Sequence, residues 1–195
     1  SATIIIQNPV KPRINFGSKT LTFLLATFMA GAVATAKADD AGSTTALTDP
    51  QIAKIVVVAD NIDVHNGKLA VKKTSNPEVK AFAETMIRDH TAVNQKAIAL
   101  AKELEIKPKA SATTRSLESN AKKELKSLKA LKGADFDKAY IDNEVSFHEA
   151  VIGMLDHTLL PDARNPQLKS LLESGRPIFE SHLEHAKQIQ ATLNQ

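Results

Sequence analysis

The chain has 195 residues, 43% hydrophobic, 24% charged and 4% aromatic, with no Cys and no Trp; that apolar content supports a packed core, and the lack of Cys excludes disulfides, thiolate metal sites, iron–sulfur clusters and thiol catalysis. The net charge of +3 originates at the start: Lys11, Arg13, Lys19 and Lys37 occupy residues 1–38 without an acid, and the remaining 21 bases face 22 acids. The body is therefore close to neutral, and with one Tyr and seven Phe it offers neither the basic surface nor the stacking rings of a nucleic-acid binder.

Residues 1–38 read as a secretory signal peptide. Three bases precede an uncharged run from Leu21 to Val33, followed by Ala36-Lys37-Ala38 and then Asp39-Asp40. The run is shorter than the roughly 20 residues of a membrane-spanning helix. We therefore expect export to the periplasm, cleavage after Ala38 and no transmembrane segment in the mature chain. Residues 39–47 are small and polar, a flexible lead, and a single helical domain is expected over 48–195.

Asp49-Pro50, Asn76-Pro77 and Asn165-Pro166 each place an N-cap acceptor before Pro at the first helical position. Asp135 is read as the cap of a fourth start. The pattern predicts helices over about 49–73, 77–105, 136–160 and 166–193. The alternating β-branched signature of strands is absent after residue 64. Pro177 should remove one backbone bond from the last helix and bend it near Ser174–Gly175.

Between the second and third helices lies a basic stretch with Arg115, Lys122, Lys123, Lys126, Lys129 and Lys132 against only Glu118 and Glu124. Leu117, Ala121, Leu125, Leu128 and Leu131 give it an apolar edge, so it is read as an amphipathic crossover helix over about 113–132. Two roles stay open: a solvated connection packed across the bundle, or a docking face in which Lys122, Lys123 and Lys126 meet an envelope protein or anionic lipid.

The second helix carries a seam of Val79, Ala83, Met86, His90, Val93 and Ala97, and the fourth one of Leu168, Leu172, Gly175, Phe179, His182, Ala186 and Ile189. Steps of three and four residues bury such seams inside a bundle. In each seam one imidazole interrupts the apolar series. On the third helix, Glu144 and His148 fall within the face of Phe136, Tyr140, Phe147, Val151 and Leu155. On the first, Asp63 and Asn66 share a stripe with Ile52, Val56, Ala59 and Ala70.

Asp63, His90, Glu144, His148 and His182 all lie roughly 20 Å along their rods at about 1.5 Å per residue, so they can meet at one level. Imidazoles with carboxylates form a ligand set for Zn, Cu, Fe or Mn. The alternative is a metal-free polar network in which His–carboxylate pairs satisfy one another. His65, Asp89 and His185 sit at the stripe edges, placed either to hold the inner rings through hydrogen bonds or to stay in water.

Ala83-Glu84-Thr85-Met86-Ile87-Arg88-Asp89-His90-Thr91, Phe136-Asp137-Lys138-Ala139-Tyr140 followed by His148, Pro177 followed by His182-Leu183, and Gly67-Lys68-Leu69-Ala70 form an ordered set of motifs. In these the chain resembles the bacterial domain of unknown function 4142 family, often labelled predicted outer membrane protein, across about residues 48–193. The resemblance implies an all-α, ferritin-like four-helix bundle in an exported protein and no established activity. Asp63 stands where relatives usually carry Glu. Ile87 and Phe179, three residues before His90 and His182, cannot supply the bridging carboxylates of a ferritin di-iron site.

The leading functional expectation is thus an exported, non-enzymatic bundle holding a transition metal, for metal handling or envelope stress. The competing one is a metal-free structural or interaction protein of the cell envelope. Enzymatic use of the metal would require an open coordination position. The chain has no Gly-x-Ser-x-Gly elbow, phosphate-cradling loop or dinucleotide fingerprint.

Overall fold

The computed structural model describes residues 45–195. The expected signal peptide, its expected cleavage after Ala38 and most of the expected flexible lead lie outside the described residues. The described residues form six α-helices: α1 (Asp49–Lys73), α2 (Pro77–Glu103), α3 (Ala112–Ala130), α4 (Gly133–Met154), the single turn α5 (Leu160–Asp162) and α6 (Pro166–Leu193). A π turn, Leu155–Leu159, joins α4 to α5. Pro161 follows it and has no N–H to offer the α register. No strand occurs among the described residues, and no helix among them is long and apolar enough to cross a membrane.

The Asn-Pro starts behave as read: Asn76 and Asn165 accept from the backbone N–H groups of the second and third residues of α2 and α6. Two caps differ from expectation. Thr48, not Asp49, caps α1, in a capping box with Gln51. The Asp49 carboxylate is engaged elsewhere, accepting from the backbone N–H groups of Arg164 and Asn165 at 2.9 and 3.0 Å and so tying the start of α1 to the start of α6. Helix α4 begins at Gly133 rather than after Asp135, because Gly133 takes a left-handed φ of 56° that lets the chain turn directly into the helix. Helix α6 runs continuously through Pro177.

Two apolar clusters fill the bundle, and their order along each helix gives its direction. Helix α1 passes from Ile52 and Ile55 in one cluster to Ala70 in the other. Helices α2 and α4 run the opposite way, from Val79, Phe82 and Met86 to Val93, and from Phe136 and Tyr140 toward Leu155 just past its end. Helix α6 runs as α1 does, from Leu168 and Phe179 to Ala186 and Ile189. The four long helices are therefore up, down, down, up, which requires a connection spanning the bundle's length between the second and third. Helix α3 is that connection: Leu117 packs on one cluster, and Leu128 and Leu131 on the other. Its Lys122, Lys123 and Lys126 are exposed.

Leu47, at the end of the expected lead, is placed against the core and donates its backbone N–H to Asp162 at 2.8 Å. Gly67 permits the close approach of α1 and α2: a Cβ there would lie 3.0 Å from the Ala83 carbonyl oxygen and 3.0 Å from Ile87. That approach brings the middle of α1 against the middle of α2.

Candidate metal centre

Between the two apolar clusters, the four long helices turn polar at one level. Asp60 and Asp63 project from α1, His90 from α2, Glu144 and His148 from α4 and His182 from α6, and none is more than 4% exposed. Ring centroids of His90, His148 and His182 are 5.1–5.5 Å apart. Phe179, one turn before His182, stacks on His90 at 5.3 Å and 5° between planes, closing one side of the group.

Each imidazole is held by one nitrogen and offers the other. His90 Nδ1 bonds to Asp60 Oδ1 at 2.9 Å. His148 Nδ1 bonds to the Glu144 backbone oxygen at 2.9 Å, and His182 Nε2 to Asp89 Oδ2 at 2.9 Å. Carbonyl and carboxylate oxygens accept, so in each ring the anchored nitrogen carries the hydrogen, and in the neutral ring the other presents a lone pair. Those others, His90 Nε2, His148 Nε2 and His182 Nδ1, are buried and have no hydrogen-bond partner among the protein groups. One ligating atom from each of the three histidines lies within 4.8 Å of the others. A second trio, Asp63, Glu144 and His148, meets the same criterion.

Protein groups alone do not close this centre into a satisfied network. Both Glu144 carboxyl oxygens, Asp60 Oδ2, Asp63 Oδ1 and the Tyr140 hydroxyl are also buried without partners. Glu144 Oε2 stands 3.5 Å from His148 Nδ1, but that nitrogen points to the backbone oxygen instead. Asp63 Oδ2 is 3.2 Å from His90 Nε2 without the alignment of a hydrogen bond. Two acceptors at that separation repel unless a proton or a metal ion lies between them.

Burial sets the charge state. It pushes Glu144 up to about 8 and His148 down to about 3. Asp63 is raised well above the ordinary carboxylate range, first by burial and then by neighbouring Glu144. Burial also lowers His182, against the opposing pull of Asp89. His90 is desolvated too, but the Asp63 carboxylate and the Asp60 hydrogen bond outweigh this and raise it. At neutral pH His148 and His182 are thus neutral imidazoles, the form that ligates metals.

The residues singled out in the sequence divide clearly. Asp63, His90, Glu144, His148 and His182 come together, and Asp89 reaches them by accepting from His182. His65 is exposed and takes no part: at two residues past Asp63 it faces away from the buried stripe. His185 sets its ring edge against Phe82 at 5.3 Å rather than bonding an inner imidazole. Asp60 was missed. The wide apolar run from Ile55 to Ala59 blurs the stripe of α1, yet Asp60 lies three residues before Asp63, a spacing that shares a helix face.

The sequence matches the domain of unknown function (DUF4142) over residues 32–189. The chain belongs to that family. No curated protein matches it. Among solved structures it is similar to CopM in its Cu(II)-bound form, with a TM-score of 0.60 and 16% identity over 75% of this chain and 98% of that one. A DUF305 protein from Streptomyces coelicolor matches with a TM-score of 0.63 and 15% identity over 74% of this chain and 92% of that one. Both likenesses show the all-α bundle fold.

Proposed function

We propose that this bundle binds one transition-metal ion through His90, His148 and His182, with Asp63 or Glu144 supplying an oxygen donor. The observation that carries the reading is the set of three buried nitrogens left without partners, each on a ring whose other nitrogen is fixed by Asp60, the Glu144 backbone or Asp89. That division of labour orients metal-bound histidines in general. Three imidazoles and a carboxylate suit Zn(II) and Cu(II), and at equal availability Cu(II) binds such donors more tightly. The Cu(II)-bound form of a structural neighbour supports the same choice. With the leader read in residues 1–38, the function is metal handling outside the cytoplasm.

The test is titration of the tag-free protein with Cu(II) and Zn(II) by calorimetry, with elemental analysis of the washed product. One equivalent should bind in wild type. His148→Ala and His182→Ala should each lower affinity by at least tenfold, and His65→Ala should leave it unchanged. No bound metal, or equal binding by the histidine variants, refutes the reading.

A further inference from the structure

An apolar chamber of about 40 Å³ ends on the candidate metal centre. Asp60, Asp63 and His90 form its polar end, and its walls include Ile55, Val93, Leu155, Leu159, Leu172 and Gly175. Glu144, His148 and His182 do not line it. Its origin is local: α6 presents Gly175, which has no side chain, and the π turn sets Leu155 and Leu159 across from it. Cores are ordinarily packed without such voids, and π turns recur at functional sites.

Three atoms at the polar end, Asp60 Oδ2, Asp63 Oδ1 and His90 Nε2, are the buried, unpartnered atoms described above. An ion held by the three rings would share His90 with the lining of the chamber, beside Asp63. The size and lining select the occupant. A water requires roughly 10–15 Å³ and polar partners, whereas dry apolar cavities of about 150 Å³ take benzene or xenon. At about 40 Å³, the chamber fits a molecule of two or three heavy atoms. Apart from Asp60, Asp63 and His90 its walls are apolar, which disfavours a charged occupant.

We propose that this chamber is a ligand pocket opening on an exchangeable coordination position of the metal, and that with copper in its Cu(I) state, reached through an external one-electron reductant such as a thiol, it takes a neutral diatomic molecule, dioxygen being the common one. The proposal rests on the metal-binding reading for its coordinating half and on the chamber alone for its pocket half.

Each half has its own probe. Xenon, monitored by its NMR shift and located in xenon-pressurised crystals, should occupy the chamber of the metal-free wild-type protein. Gly175→Leu should abolish that occupancy, since a Cβ at this position has ordinary contact distance to Phe179, 3.5 Å, and the longer side chain enters the void. Val93→Phe fills the same space from α2 and guards against a folding failure of the first variant. Carbon monoxide added to the Cu(I)-loaded protein should give a C–O stretching band, with affinity lowered at least tenfold in both variants at unchanged copper content. An absence of xenon from the chamber, or equal carbon monoxide affinity in wild type and variants, overturns the proposal. If wild type retains copper but shows no carbonyl band, the proposal fails and metal binding stands. Failure to retain copper overturns the metal-binding reading and the coordinating half with it.

Discussion

Replacing Glu144 by Gln removes a fully buried acid that stands beside Asp63, while keeping the shape of the side chain. Burial raises Glu144 from 4.5 to about 8. A folded-state value above the unfolded one gives stability that is full below 4.5 and lost progressively as the pH rises to about 8. At about 1.4 kcal/mol per unit the whole loss is on the order of 5 kcal/mol, and the part between pH 6.5 and about 9 is about 2 kcal/mol. His148 works in the opposite sense: held near 3 in the fold, below its ordinary 6.5, it loses stability as the pH falls from 6.5 and contributes no slope well above that. His90 and Asp63, both raised, add to the alkaline loss, and because Glu144 is part of what raises Asp63, its removal lessens the Asp63 contribution in the same direction. The assay is urea unfolding of chelator-treated protein across that alkaline range. Glu144→Gln should flatten the decline by at least about 2 kcal/mol, over a pH-independent offset of roughly 1–3 kcal/mol for burying an amide in place of the acid. Parallel curves for wild type and variant would refute the assignment of a buried, neutral Glu144.

Asp60→Asn replaces the acceptor that fixes His90 and should weaken metal binding by about 10–100-fold without changing stoichiometry, as read by calorimetry. Gly67→Ala should destabilise the fold by about 1–3 kcal/mol in urea unfolding, because its Cβ would meet the Ala83 carbonyl at 3.0 Å; an unchanged midpoint would contradict that close approach. Glu105 takes a left-handed φ of 54° directly after α2, so Glu105→Gly should stabilise by about 0.5–1 kcal/mol. A loss of thermal stability in that variant would show that Glu105 carries an unrecognised contact.

Much of this centre could be read from residue spacing because it interrupts otherwise apolar seams. His90 and His182 were each the single ionisable member of a stripe stepping by three and four, and both stripes are buried as read through Val93 and Ile189. Glu144 and His148 were visible for the same reason. What spacing could not give was the second bond of each ring. Asp60 was hidden in a run of aliphatics, and His148 uses the backbone oxygen of Glu144, which no side-chain pattern encodes. The cap of α1 failed likewise. Asp49 looked like a local acceptor, but it is taken by backbone N–H groups 115 and 116 residues away. The π turn and the chamber beside it depend on how α4 and α6 pack, so neither leaves a signature in the periodicity.

X-ray absorption at the metal edge tests the coordination directly. Protein loaded with one equivalent of Zn(II) or Cu(II) should show three imidazole nitrogens at about 2.0 Å with one or two oxygen donors. His90→Ala, His148→Ala and His182→Ala should each remove one imidazole from that shell. A shell of oxygens alone, or one indifferent to all three substitutions, would contradict the assignment of the metal to the centre of this bundle.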